Sequence, residues 1–460
     1  MLDEKFLNRM KALLGDGFDD FVKSLEEDSA VRAVRVNTLK TNTCGFLENQ
    51  PFILTKLQYA SDGFIMDDGD GIGNTPEHHS GMIYVQDPGA MATLSALDVQ
   101  PGWRVLDMCS APGGKSGQAA AKIADGGFLF SNEFVPKRAK TVVSNFERLG
   151  VKNAIVTSLD TKELPKLFSE YFDLVIADVP CSGEGMFRKS EEALNDWSEE
   201  NVAACAKRQR EIMKNAAPLV REGGYLIYST CTYSLEENEM LVDSFLKDNS
   251  DFALIDVKDE LRAATADGIV FSNEASKDLV KTRRFYPHIS RGEGQFIALM
   301  KRIGSKAKTQ TILYKDASTA PTKAESSAID KFFKENLTKA PSGKIIKVGE
   351  NLVISEHGVP IPPRSVFSAG VLIGRVEKGL LFPSHQFFSA YGHLFKRQQK
   401  LTRGATEVTK YLSGEEISAD SFSESGWCAV IYEGATLGGG KASSGKIKNH
   451  YPKGLRIKNN

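Results

Sequence analysis

Two cysteines in this chain stand where a thiol can act. Cys231 follows Ser229 and Thr230 at the end of an apolar run, GGYLIYSTC. Cys181 closes Asp178-Val-Pro-Cys at the end of another, FDLVIADVPC. The thiolate is the reactive form of cysteine, and the hydroxyls and backbone N–H groups beside Cys231 are expected to stabilise it. Asp178 adds a carboxylate near both thiols. A nucleophilic thiol, a second thiol and an acid form a set for covalent catalysis, in which an enzyme atom adds to a substrate carbon and later leaves. Taken singly, a strand-end cysteine reads more readily as a small buried apolar residue, and it is the pair of thiols beside Asp178 that shifts the balance. That second reading covers Cys205, within an amphipathic helix. The six cysteines form no C-x-x-C pair, which argues against a zinc site. Six in 460 residues also make no disulfide framework.

A third segment, VLDMCSAPGGKS at 105–116, ends a strand and opens a helix. Gly113 and Gly114 allow a ligand to approach the backbone closely. The N–H groups of the helix start then face an anionic group. A phosphate-loop motif would need glycine where Cys109 stands, so the turn reads as a site for a nucleotide-like cofactor instead. Glu133 ends the next strand and Asp160 the one after. Either can accept hydrogen bonds, from a ribose or an adenine amine respectively. Either can also be a solvated loop residue or a helix cap.

The elements that must carry these residues are legible as a pattern. WRVLDM, GFLFSNE, NAIVTS, FDLVIADV and GGYLIYST read as strands, with GQFIALMKR as a late edge strand. Amphipathic helices lie between them, at KSGQAAAKIA, PKRAKTVVSNFERLG and a long helix ending near AKRQREIMKNAAPLV. Strands alternating with helices predict a parallel sheet covered on both faces, with ligands beyond the strands' carboxyl ends. Upstream, VRAVRVNTLK reads as a strand with one basic face (Arg32, Arg35, Lys40), and DGFIMDDGDGIGNTPEHHSG as a loop that contains His78 and His79. Trp197 reads as a packing anchor. Phe285 and Tyr286, beside Arg283 and Arg284, either stack on a nucleobase or form a strand edge. Residues 303–322 read as a polar linker, followed by a basic, glycine-rich β region.

The net charge of −1 hides a division: residues 1–300 are acidic in balance and 301–460 basic. Lys441, Lys446, Lys448, Lys453, Arg456 and Lys458 crowd the last twenty residues without an acid. Such a module suits a polyanionic partner, or is a solvated basic tail. No run approaches the length of an apolar membrane helix and the N-terminus reads as a mixed helix rather than a leader, so a cytoplasmic location is expected.

One reaction needs this set. Carbon 5 of cytosine is a poor nucleophile, and a thiolate adding to carbon 6 makes it able to attack an electrophilic methyl group. An acid near N3 and the exocyclic amine stabilises the adduct. The base must be unstacked, which points to single-stranded or flipped-out RNA.

The combination of CSAPGGK (109–115), DVPCSGEGMFR (178–188) and YSTCTYSLEENE (228–239) closely resembles the Nol/Nop/Sun family of RNA cytosine-C5 methyltransferases, and within it the RsmF-type branch acting on small-subunit ribosomal RNA. The likeness includes RVNTLK (35–40), VQDPGAMA (85–92) and GQFIALMKR (294–302), and continues in FSAGVLIGRVEKGLLFPSHQ and LGGGKASSGKIKNHYPKGLR. Ser110 departs from the commoner alanine. The resemblance implies an α/β fold: a Rossmann-like S-adenosylmethionine-dependent methyltransferase core over 88–302, a small N-terminal RNA-contacting domain over 1–87, and a basic, β-rich, PUA-like C-terminal region over 323–460. It implies a cofactor loop of Cys109, Ser110, Ala111, Pro112, Gly113, Gly114 and Lys115, with Glu133, Asp160 and Asp178 as further S-adenosyl-L-methionine contacts. Asp178 then also engages the cytosine, Lys115 reaches the active centre, Cys231 is the nucleophile and Cys181 assists product release. DNA cytosine methyltransferases use the P-C cysteine as nucleophile, so the division between the thiols is itself an expectation. The expected partner is ribosomal RNA or the small ribosomal subunit, with no metal, no membrane and a monomeric state. The same chemistry on transfer RNA, a catalytically silent RNA-binding assembly factor and a small-molecule methyltransferase are the alternatives. Intact Cys231 and Gly113-Gly114 count against the silent factor, and paired cysteines with an appended basic region against the last.

Overall fold

The structure, a computed structural model, describes residues 2–26, 30–67, 71–304 and 311–457. Residues 68–70 of the Asp/Gly-rich stretch, 305–310 of the expected linker and Lys458 lie outside the described residues.

The N-terminal part opens with helices Glu4–Leu14 and Phe18–Glu26. A four-stranded antiparallel sheet follows, made of β1 (Ala33–Val36), β2 (Leu54–Lys56), β3 (Gly63–Met66) and β4 (Ile83–Val85), in the order β2-β3-β1-β4. The helix Pro88–Ser95 then leads into the central sheet.

That sheet is built from β5 (Arg104–Asp107), β6 (Phe128–Asn132), β7 (Ala154–Thr157), β9 (Phe172–Asp178), which follows the short β8 (Phe168–Ser169), and β10 (Val220–Thr230). Beyond these come β11 (Phe252–Leu254), β12 (Ala266–Asp267), β13 (Arg283–Phe285) and β14 (Gln295–Arg302). β7-β6-β5-β9-β10 are parallel neighbours, and β14, β13 and β12 continue one side in antiparallel pairing, β14 lying next to β10. Helices Gly114–Lys122, Pro136–Leu149 and Glu199–Ala216 cover its faces. With both faces covered, the strands are apolar without alternation, as in β9, where Leu174, Val175, Ile176 and Ala177 are all fully buried. Chain order runs β5-β6-β7 in one direction and β9-β10 in the other. The crevice between β5 and β9 is therefore the switch point where such sheets bind ligands.

The C-terminal half departs from the linker-plus-module expectation. β15 (Thr311–Ile312) pairs with β8, and Thr319 bridges to Lys347, so the described part of 303–322 is partly anchored strand. A sheet of β16 (Lys344–Val348), β17 (Asn351–Ser355), β19 (Val371–Glu377) and β20 (Leu380–Pro383) follows, while β18 (Val366–Ala369) leaves it to pair with β7 and extend the central sheet. The last sheet holds β21 (Gln398–Leu401), β22 (Ile417–Ser418), β23 (Gly426–Tyr432), β24 (Ala435–Ser443) and β25 (Lys446–Asn449). The fold is the mixed α/β architecture expected, a Rossmann-like core between an N-terminal domain and a PUA-like C-terminal domain.

Three local expectations need correction. β1 has no basic face: Arg35 is fully buried, its Nε donating to Gln86 Oε1 at 3.0 Å, and Lys40 Nζ donates to Ser389 in the C-terminal half. The long guanidinium fits inside because acceptors meet it there. The stretch 62–81 is not one loop; it contains β3 and the helix Pro76–His79, which holds both histidines. Arg283, Arg284, Phe285 and Tyr286 are buried in β13 and just beyond it, so of the two readings the strand one holds and base stacking is excluded.

Candidate active site

Three strand ends meet at the switch point. A cavity of about 270 Å³ opens there, lined by Asp107, Cys109, Ser110, Ala111, Pro112, Gly114 and Lys115 after β5, Asp178 and Val179 after β9, and Cys231 after β10. Its remaining wall comes from 84–87, Ala90, Met186 and 293–295. Gly113 stands just behind the lining with φ of +108°, a left-handed conformation that favours glycine.

The two thiols are together. Cys181 Sγ lies 3.1 Å from Cys231 Sγ, and the Cys231 N–H also points at Cys181 Sγ, 3.3 Å away. The bond to Cys231 and burial push the Cys181 thiol well above the usual thiol range. Cys109 rises too, through burial. Lys115 Nζ donates to Asp178 Oδ2 at 2.9 Å. Burial opposes the ammonium charge there, but Asp178 outweighs it and the Lys115 pKa rises, with a further contribution from Cys231. Lys115 is the one cationic side chain among the described residues lining the cavity. The expected stabilisation of the thiolate by Ser229 and Thr230 does not hold. Ser229 donates to Asp178 Oδ1 and Thr230 to Asn238 Oδ1, both at 2.7 Å. These hydroxyls fix the carboxylate and the loop instead.

Beside the turn after β5, Glu133 is buried and accepts from Ala111 N–H at 3.3 Å and Val135 N–H at 3.0 Å, with Arg138 3.5 Å away. It orders the 109–115 turn from behind and does not line the cavity. Asp160 caps the short helix Thr161–Lys166 and pairs with Lys162 at 2.9 Å, outside the cavity lining, which is the cap reading of that residue. Asp107 is held up to about 7 by burial, while Ser116 donates to it.

The sequence reading missed what holds the thiol turns in register. Glu184 is buried and accepts from Trp197 Nε1 (2.9 Å), Thr232 Oγ1 (2.8 Å) and Tyr233 N–H (2.9 Å). Glu237, also buried, accepts from Ser182 N–H (3.0 Å) and Gln209 Nε2 (2.7 Å). Each carboxylate ties the Cys181 turn to the Cys231 turn. Arg284 pairs with buried Glu239 and donates to Tyr233 O at 2.8 Å, anchoring the loop after Cys231. The available signal was glutamates set among Ser and Thr donors, in CSGEG and TYSLEENE, with few basic neighbours to neutralise them.

Among the described residues no group of His, Cys, Asp and Glu is arranged to hold a metal ion, and no helix is long and apolar enough to cross a membrane.

Residues 94–301 match the family model of 16S rRNA methyltransferase RsmB/F. Residues 2–88 match the N-terminal domain of 16S rRNA methyltransferase RsmF, and 398–457 the methyltransferase RsmF PUA domain. Over 99% of its length the chain is 30% identical to a ribosomal RNA small subunit methyltransferase F of Vibrio vulnificus, covering 97% of that protein. The chain belongs to the ribosomal RNA small subunit methyltransferase F family. A member from Psychromonas ingrahamii is 29% identical over the whole chain and 98% of its own length. Among solved structures, a methyltransferase homolog protein from Pyrococcus horikoshii is 27% identical and superposes with a TM-score of 0.58 over 65% of this chain and 95% of that one. NSun6 from the same organism, at 21% identity and a TM-score of 0.57 over 66% of this chain and 99% of that one, shares the fold. The family therefore extends across all three parts of the chain, with both thiols inside the 94–301 match.

Proposed function

We propose that this protein transfers a methyl group from S-adenosyl-L-methionine to carbon 5 of a cytosine in small-subunit ribosomal RNA, with Cys231 as the covalent nucleophile. The observation that carries the reading is the sulfur pair. Cys231 lines the cavity beside Lys115 and Asp178, and Cys181 stands 3.1 Å behind it with its pKa raised.

The residues present fit the cofactor. Ser110 Oγ is buried with no hydrogen-bond partner among the described residues, and the turn 110–114 opens the helix Gly114–Lys122 toward the cavity. Ser110, Ala111, Pro112, Gly113 and Gly114 would hold it from the turn, with Cys109 and Lys115 at the two ends. Glu133 would fix that turn, and Asp178 would sit at the border with the base. When bound, the cofactor supplies an electrophilic methyl group.

Cys231 adds as thiolate to carbon 6, with Lys115 the neighbouring positive charge. Cys181 keeps its proton during this step, because a second thiolate beside the first would repel it. Asp178, held by Ser229 and Lys115, faces N3 and the exocyclic amine. After methylation a water molecule takes the carbon 5 proton, the electrons of that C–H bond re-form the carbon 5–carbon 6 double bond, the carbon 6–sulfur bond breaks with its electrons going to sulfur, and Cys181 donates a hydrogen bond to the departing Cys231 thiolate. A reading with the roles of the thiols exchanged is less well supported, since Cys181 does not line the cavity.

Purified Cys231→Ala, given labelled cofactor and small ribosomal subunits, is expected to transfer no methyl while binding cofactor as the wild type does. Retained transfer would overturn the nucleophile assignment. Bisulfite sequencing of the wild-type product is expected to place the label on cytosine, and label on another base would overturn the substrate.

A further inference from the structure

The wall of the cavity formed by 84–87 and 293–295 carries two amides that the mechanism above does not use. Gln86 and Gln295 are both buried, both line the cavity, and in each the Nε2 donor lacks a hydrogen-bond partner among the described residues. An unpaired buried donor is costly, and one that faces a cavity is free to be completed by a ligand there.

The orientation of Gln86 is fixed by chemistry. Arg35 is donor-only, and its Nε reaches Gln86 Oε1 at 3.0 Å, so the amide oxygen must face the guanidinium and the NH₂ must face the other way. Gln295 opens β14, one residue before Phe296, which pairs with Thr230; it therefore stands level with Cys231. The two glutamines belong to one wall. Glu293 N–H donates to Asp87 Oδ2 at 3.2 Å, Lys189 Nζ bridges Asp87 and Glu293, and the close approach at Gly89 leaves no room between it and the Gln295 side chain.

Asp178 offers acceptors to the base edge that carries an amine. What a cytosine ring still lacks is a donor for the carbonyl at carbon 2. When sulfur adds to carbon 6, negative charge spreads from carbon 5 through N3 to that oxygen, so a donor there strengthens as the adduct forms. Resting on the functional reading above, we propose that Gln86, oriented by Arg35 and assisted by Gln295, donates its amide N–H to the carbon 2 oxygen of the target cytosine. Gln86 and Gln295 are thus catalytic residues that read the pyrimidine, and Arg35 is a positioning residue.

The test is a rate comparison on small subunits reconstituted with ligated RNA that has cytidine or 2-thiocytidine at the position mapped by bisulfite sequencing. Sulfur is the weaker acceptor. Gln86→Leu is expected to lower kcat on cytidine by about 10²-fold, the usual loss for one donor to a developing oxyanion, with cofactor affinity unchanged. In the wild type the 2-thio substitution is expected to slow transfer; in Gln86→Leu it is expected to add little, because the bond is already gone. Arg35→Lys, which removes the fork that orients the amide, is expected to fall between the two. Additive losses, or a kcat for Gln86→Leu equal to the wild type's, would overturn the proposal, as would weakened cofactor binding with an unaltered 2-thio effect. A wild-type enzyme that leaves cytidine unmethylated would instead overturn the functional reading itself.

Discussion

Glu237 ties the Cys181 turn to the Cys231 turn, and its protonation is sensitive to its burial. Burial raises its pKa to about 7, against the opposing hydrogen bonds from Ser182 and Gln209. Because the folded value lies above the ordinary carboxylate value of about 4.5, the stability it contributes is full below pH 4.5 and is lost as pH rises through 7. In denaturant titrations, wild type is expected to lose stability relative to Glu237→Gln across that window, and a pH-independent difference would contradict the assignment. At this scale the sequence was informative where a residue type has one chemical use at its spacing: Cys231, Lys115 and Asp178 line one cavity, and Cys181 stands 3.1 Å from the Cys231 sulfur. It misled at Arg35 and at Ser229. Alternation cannot tell an exposed cation from one whose acceptors lie fifty or more residues away, and a hydroxyl beside a thiol had a stronger acceptor in Asp178.

The elements explain why two turns fifty residues apart keep their sulfurs in contact. β9 and β10 are parallel neighbours, with Asp178 in register with Ser229, so the residues after them emerge side by side. Glu184 and Glu237 then clamp the turns. Glu184→Ala leaves Trp197 Nε1 and Tyr233 N–H without their acceptor, while Thr232 Oγ1 keeps Ser182 Oγ at 2.8 Å, and a loss of about 2 kcal/mol or more in unfolding free energy is expected at 1–3 kcal/mol for each buried orphan. Gly185 allows no side chain, since a Cβ there would meet the Gly294 backbone at 2.6 Å. Gly185→Ala is accordingly expected to lower both Tm and kcat, while cofactor affinity, set at the β5 turn, holds; weakened cofactor binding of the same size would contradict this division of labour. The parallel strands were legible because burial on both faces leaves uninterrupted apolar runs. β18 was not, because a four-residue edge strand carries no periodicity and its partner β7 is two hundred residues away.

Across the whole molecule, the C-terminal half is fastened to the core. Beyond the β18–β7 pairing, Arg403 and Tyr432 both bond buried Glu77, and Tyr451 OH lies 2.7 Å from His79 Nδ1. Burial, and then the charge of Arg148, lower the His79 pKa to about 4. Its contribution to stability is present above the ordinary histidine value of 6.5 and is lost as pH falls through 4. Thermal unfolding is expected to show wild type losing more stability than His79→Asn between those limits, and equal losses would refute it. The basic surface is a separate matter. Lys441, Lys446, Lys448 and Lys453 are exposed. Replacing all four by Glu is expected to weaken binding to ribosomal RNA and to make its salt dependence shallower by roughly one unit of slope for each phosphate no longer neutralised. An unchanged slope would remove that face from the RNA interface. The basic composition was readable from the chain, but the attachment was not, since it depends on single hydrogen bonds between residues some three hundred and fifty positions apart.

The central claim is that sulfur 231 carries the pyrimidine while sulfur 181 releases it. It is tested most directly by incubating Cys181→Ala with cofactor and small ribosomal subunits, denaturing the mixture and locating any RNA that stays attached by mass spectrometry of the peptides. The expected result is a denaturant-stable adduct mapped to Cys231 that vanishes in Cys181→Ala/Cys231→Ala. No adduct, or one on any other residue, would contradict the account.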